Sequence, residues 1–129
     1  MRLLLDTHVW LWWQMSPERL KDKVRHDIAS LESEVFLSAV STWEMAIKIA
    51  AGRLQLPAPM DEMIPESLLR DDFGSLPLQQ HHCFELASLP MHHRDPFDRM
   101  LVAQARAEKL TLVTADRQLE RYDVDLVLA

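Results

Sequence analysis

Five carboxylates stand where they could do joint work: Asp6, Glu44, Asp95, Asp98 and Asp116. Three of them fall within one stretch, HHRDPFDRMLVAQARAEKLTLVTADR, from His92 to Arg117. Asp95-Pro96 is a helix-start signature, because a short acceptor side chain caps free N–H groups and proline suits the first helical position. Helical spacing from Asp98 gives Leu101, Val102 and Ala105, all apolar, so Asp98 heads the core-facing stripe of that helix. A carboxylate in such a place needs a partner, a proton or a metal. Leu110 to Val113 is a short β-prone run, and Asp116 lies just past its C-terminal end.

Each acid also has a plainer reading. Asp95 and Asp116 suit helix caps, and Asp98 suits the third position of a helix. Ser41-Thr42-Trp43-Glu44 matches a capping box, and Glu44 stands four residues before Lys48, an ion-pair spacing. Against both, Glu44 shares a helical face with Val40, Ile47 and Ala51 if the helix starts near Ser38. The residue alone leaves these readings open.

The elements that must position these acids follow from the pattern of the chain. Its 129 residues, with 48% hydrophobic and 26% charged side chains, suit one soluble domain spanning residues 1–129 with a sizeable core. The N-terminal stretch MRLLLDTHVWLWW is interrupted by Asp6 and His8 and lacks a small-residue cleavage site, so it reads as a first strand and helix of a cytoplasmic protein. No apolar run is long enough to span a membrane. The one cysteine, Cys83, excludes an internal disulfide framework and is expected to serve packing. A net charge of −6 works against general attraction to a polyanion, so any nucleic-acid substrate would have to be held locally, as by a divalent cation.

Strands are expected at 2–5, 35–37, 75–79, 110–113 and 124–128, with Pro77 placing the third at a sheet edge. Helices are expected at 7–14, from Ser16-Pro17 through Leu20, Val24, Ile28 and Leu31, at 38–51 before Gly52, and at 60–69, 81–88, 96–109 and 118–122. Trp10, Trp12 and Trp13 point at several helical angles, which suggests that part of that surface meets another chain. His81, His82, Cys83, His92 and His93 invite a zinc reading, but adjacent histidines on a helix diverge by about 100° and no CxxC or HExxH framework is present. The acids at 61, 62, 66, 71 and 72 read as a solvated face. No glycine-rich phosphate loop appears, and the chain has only two glycines.

Strands alternating with helices imply a three-layer α/β/α fold around a short, mainly parallel sheet, which binds ligands at the strands' C-terminal ends. Asp6 and Asp116 fall at that end, and Glu44 and Asp98 near helix starts on the same edge. Four carboxylates gathered there repel one another unless a cation neutralises them, and all-oxygen ligation selects Mg²⁺ or Mn²⁺.

The motifs LLLDTHVWLW, SAVSTWEMAIKIAAGRLQLP and HHRDPFDRMLVAQARAEKLTLVTAD, in that order, resemble those of the PIN-domain ribonucleases, in particular the VapC-like toxins of bacterial toxin-antitoxin pairs. The resemblance covers essentially the whole chain. It implies a Mg²⁺-dependent endoribonuclease with Asp6, Glu44, Asp98 and Asp116 as its acidic site, Asp6, Asp98 and Asp116 holding metal, and Asp95 capping or hydrogen-bonding behind them. Thr7 and Thr114 are placed to hydrogen-bond a carboxylate or water, and Arg94, Arg99 and Arg117 to reach phosphates, although each arginine alone reads more simply as a surface residue. The resemblance further implies RNA as substrate, a homodimer, and an antitoxin that covers the site.

Other enzyme classes fit less well. A haloacid-dehalogenase-like phosphatase needs an acid two residues after the first-strand aspartate, where His8 stands, and a response-regulator receiver expects paired acids there and a late lysine. The remaining alternative is a non-catalytic PIN-like module that dimerises and engages a regulatory partner.

Overall fold

The computed structural model describes residues 1–129. Five strands, β1 (Arg2–Leu5), β2 (Glu34–Ser38), β3 (Gly74–Leu76), β4 (Thr111–Thr114) and β5 (Leu126–Leu128), form one sheet in the order β3-β2-β1-β4-β5. Every pairing is parallel, so the sheet is wholly rather than mainly so. Strand side chains alternate between faces. Leu3, Leu5, Val35, Leu37 and Val113 enter one core with Trp10, Val24, Ile28 and Met45, while Leu4 and Leu112 enter a second with Leu101, Val102 and Leu119. Helices therefore cover both faces, giving the expected three layers: α1 (Thr7–Met15), α2 (Asp22–Ala29), α3 (Ala39–Ala50), α4 (Met60–Asp71), α5 (Gln80–Ala87) and α6 (Pro96–Glu108). None is long and apolar enough to cross a membrane.

Several local expectations change. The helix read from Pro17 onward is broken: Pro17–Arg19 is a single 3₁₀ turn, Leu20 is extended and buried, and α2 starts afresh at Asp22 and ends at Ala29. Pulling Leu20 into the core interrupts the helix, and Leu31 falls beyond it, fully exposed. β3 ends at Leu76, so it is indeed an edge strand but Pro77 lies outside it. Residues 117–121 are 3₁₀ rather than α, and β5 begins only at Leu126.

Cys83 is exposed, not packed. The α1 tryptophans do not need a second chain to cover them. Trp10 is wholly buried, Trp13 packs on Phe73 and donates to Asp71 on α4, and half-buried Trp12 lies under Arg19. The exposed tryptophan is Trp43, on α3.

Candidate metal centre

β1 lies between β2 and β4, so the connections leaving the sheet centre diverge at the β1–β4 pair, whose carboxyl end is where such sheets carry their ligand crevice. Asp6 and Asp116 flank that crevice. Both also cap, as does Asp95: Asp6 Oδ1 accepts from the Val9 N–H (2.8 Å), Asp116 Oδ1 from Gln118 (2.9 Å), and Asp95 Oδ1 from Phe97 (2.8 Å) and Asp98 (3.1 Å). Capping and a site role are thus compatible, because a cap fixes one carboxylate oxygen and orients the other.

Asp98 and Glu44 are not caps. α3 begins at Ala39 with Ser38 as its N-cap, so the capping box at Ser41 is not used and Glu44 sits mid-helix, buried. Of the apolar neighbours expected on its face, Val40 is buried, but Ile47 and Ala51 are exposed. Glu44 Oε1 accepts from the Thr7 hydroxyl and Oε2 from Lys48 Nζ, each at 2.6 Å, so the four-residue ion pair does form. A partly neutralised acid survives burial this way.

Asp98 has no such support. Burial raises its pKa, and the negative charges of Asp95, Asp6 and Glu44 raise it further, to about 7, with only His93 opposing. Burial likewise raises Asp6, against hydrogen bonds from Thr114 and Val9. Both threonines therefore serve carboxylates. The structure brings Asp6, Glu44, Asp95 and Asp98 within electrostatic reach of one another, and the crowd holds more negative charge than its protein partners offset. That surplus, in oxygen donors only, fits a hard divalent cation such as Mg²⁺.

His93 is the residue that sequence reasoning left without a role. Its Nε2 lies 2.7 Å from Asp116 Oδ2 and 3.6 Å from Asp98 Oδ2, joining Asp116 to the cluster. Its Nδ1 accepts from the Asp95 N–H at 3.0 Å. A backbone N–H can only donate, so the ring proton sits on Nε2 and His93 donates to Asp116 rather than offering a lone pair to a metal. Burial would raise Asp116, but the Gln118 N–H and His93 outweigh it and hold its pKa below the usual carboxylate value. Tyr122 Oη accepts from the N–H groups of His92 (3.2 Å) and His93 (3.0 Å), which fixes the loop. The only sequence signal was the position of His93, two residues before Asp95.

Of the arginines, Arg94 and Arg117 are exposed, and Arg94 lines a cleft of about 430 Å³ with His92, His93 and Gln118. Arg99 is half-buried and directs Nη2 to the Leu89 carbonyl. The other histidines gather elsewhere. His81 and His82 Nε2 lie 3.4 and 3.7 Å from Glu108 Oε2, at the far end of α6. His82 Nδ1 receives both the Gln79 N–H and the Gln104 amide, so its Nε2 also carries the proton and has no lone pair for zinc.

The family model described as PIN domain matches residues 3–125. The chain belongs to that family. It is 29% identical over 121 residues to ribonuclease VapC22 of Mycobacterium tuberculosis, covering 93% of this chain and 91% of that protein. Among solved structures it is similar in fold to VapBC2 from Rickettsia felis bound to a promoter DNA fragment, with a TM-score of 0.73 at 15% identity over 100% of this chain and 98% of the other. FitAcB from Neisseria gonorrhoeae gives 0.65 at 24% identity, covering 96% and 95%.

Proposed function

We propose that this PIN-domain protein, one domain over residues 1–129, is a Mg²⁺-dependent endoribonuclease and the toxin of a toxin-antitoxin pair. The observation that carries the reading is the surplus of negative charge around Asp98, whose carboxyl is pushed up to about 7 by burial and by Asp95, Asp6 and Glu44. The likeness to ribonuclease VapC22 supports RNA as the substrate.

Asp6, Asp98 and Asp116 would hold Mg²⁺, or Mn²⁺, with Glu44 joining directly or through water. When bound, the ion supplies a water of lowered pKa and neutralises charge on the phosphate being cleaved. The protein's own groups orient and tune. The Val9 N–H fixes Asp6, Thr7 and Lys48 hold Glu44, and the His93 N–H holds Asp116. Asp98 must release its proton to receive a cation, so cation affinity and cleavage rise as pH passes through about 7. Arg94 and Arg117, both exposed, would contact phosphates.

The VapBC complexes of similar fold support an antitoxin as partner, with a basic side chain entering the acidic crevice in place of the metal. A homodimer acting on RNA in the cytoplasm completes the reading. Induced expression of wild type against Asp98→Asn tests it, with total RNA from each culture run on a gel. Growth arrest and discrete RNA fragments from wild type alone are expected. Equal arrest from both would favour the non-catalytic binding module.

A further inference from the structure

Trp43 and Phe97 form the one aromatic pair that joins the two helices supplying Glu44 and Asp98. Their ring centroids are 4.9 Å apart at an interplanar angle of 79°, edge to face. Phe97 is half-buried against the core, whereas Trp43 is 56% exposed. The contact with Phe97 holds the indole by one side and leaves aromatic surface open to solvent. An exposed tryptophan with nothing to stack on is a cost in a chain that buries Trp10 completely.

Each ring belongs to a residue that immediately precedes a site acid: Trp43 before Glu44, and Phe97 before Asp98. Adjacent side chains on a helix diverge by about 100°, so the rings stand beside the acids and not among them. Their contact bridges α3 and α6 at the turns that carry Glu44 and Asp98, next to the proposed metal site. With a net charge of −6 the chain gains little from general electrostatic attraction to RNA. Stacking of bases on aromatic side chains supplies affinity independently of charge and tolerates any base.

We propose that Trp43, braced by Phe97, is the stacking platform for the nucleobase beside the cleaved phosphate, an assignment that rests on the ribonuclease reading above. Protein docking fits the patch less well. Large apolar side chains exposed on α3 are Trp43 and Ile47 alone, a small area beside the several hundred Å² typical of docking patches. Trp43 touches substrate in this account and takes no part in proton transfer, so its loss weakens binding and leaves the chemical step intact.

The test compares wild type, Trp43→Phe and Trp43→Leu in two assays. One is equilibrium binding of a fluorescein-labelled single-stranded RNA of mixed sequence, with Ca²⁺ in place of Mg²⁺. The other is Mg²⁺-dependent cleavage of the RNA that wild type cuts. Trp43→Leu is expected to weaken binding and raise KM by about 5- to 150-fold, the range for one lost base-aromatic stack, with kcat within about twofold. Trp43→Phe keeps a π-face and retains most of the affinity. Equal binding and KM in all three overturns the platform while leaving the nuclease intact. Absence of cleavage by wild type, with binding still lost in Trp43→Leu only, overturns the nuclease and leaves the platform standing. A change of oligomeric mass, or of antitoxin capture, in Trp43→Leu with unaltered RNA binding assigns the surface to a protein partner and overturns the proposal.

Discussion

The two ends of α6 carry two groups of histidine and carboxylate that look alike and behave oppositely. Asp98 lies in its first turn and Glu108 is its last residue, about 15 Å away along the axis. At each end a histidine accepts backbone N–H at Nδ1 and points a protonated Nε2 at a carboxylate: His93 at Asp116, and His82 at Glu108. The difference is the count of acids. Around His93 stand Asp116, Asp98, Asp95, Asp6 and Glu44, whereas around His81 and His82 stands Glu108 alone. A helix N-terminus should favour an ionised Asp98, yet burial first, and the charges of Asp95, Asp6 and Glu44 after it, raise its pKa to about 7. At the other end the shift runs the other way, and burial with the neighbouring His81 lowers His82. On the reading proposed above, excess charge, more than the presence of ligating residue types, separates a cation site from a histidine that only faces a carboxylate.

Removing the excess should produce the largest effect. Asp98→Asn keeps size and shape but deletes one ligand, and RNA cleavage is expected to fall by more than about 100-fold, since even the partners behind metal ligands are worth about 10–100-fold. Mg²⁺ is expected to raise the Tm of wild type, and the same variant to lose most of that rise, which differential scanning fluorimetry reads directly. Retention of full cleavage by folded Asp98→Asn would remove the distinction between the two ends of the helix.

The pH dependence of stability follows from the sign of the shift. The folded-state pKa of Asp98 lies above its unfolded value of 3.8, so between about 4 and 7 the native state binds more protons, and its stability falls as pH rises. Asp6 acts in the same direction, while Asp116, shifted down, matters only below about pH 4. In EDTA, Tm at pH 8 is expected to be about 5–10 °C below that at pH 5, corresponding to about 2 kcal/mol. Mg²⁺ should close that gap by binding the ionised form, and Asp98→Asn should flatten it without metal. His82, shifted down, works in the opposite direction as pH rises toward its unfolded value of 6.5, so the decisive quantity is the Tm of wild type minus that of Asp98→Asn. A metal-free difference that does not fall from pH 5 to pH 8 would mean that the acids are already balanced.

His93 sharpens the comparison, because it is the histidine that hydrogen-bonds into the acid crowd. His93→Ala frees Asp116 and leaves the Asp95 N–H without its acceptor, and a loss of about 10–100-fold in cleavage is expected. His93→Gln can return an N–H donor near the position of Nε2, and it should recover part of that loss. Equal losses in the two variants would show that the donor hydrogen bond to Asp116 is unimportant.

These residues also mark what the chain discloses before it folds. Asp98 was legible because an acid heads an apolar helical stripe, a local conflict that periodicity exposes. Asp6 and Asp116 were legible because short, mainly apolar β-prone runs precede them, and a parallel sheet places all such ends on one edge. Glu44 was open, since its partners, Thr7 and Lys48, come from the start of α1, far away in sequence, and from its own helix. His93 was not legible at all: its role depends on which ring nitrogen meets the Asp95 N–H, a matter of loop conformation with no period. The broken helix at Leu20 and the exposed Cys83 were misread for the same reason, because tertiary packing decided them and local propensity did not.

The smallest effect is expected at the C-terminal end of α6. His82 is held through Nδ1 by Gln79 and by Gln104, whose own carbonyl accepts from Ser38 Oγ at 2.5 Å, so the ring is locked with its Nε2 proton facing Glu108. Turning this trio into a zinc site would require moving that proton to Nδ1, against two donors already there, or removing it altogether. Glu108→Gln should therefore leave RNA cleavage within about twofold of wild type and change stability by no more than about 1 kcal/mol, the scale of a partly exposed hydrogen-bonded pair. Zinc added to Asp98→Asn, in which the acidic centre is disabled, should not raise Tm. A zinc-dependent rise in Asp98→Asn that disappears on adding Glu108→Gln would show that the histidines release their lock, and that two metal-binding ends share one helix.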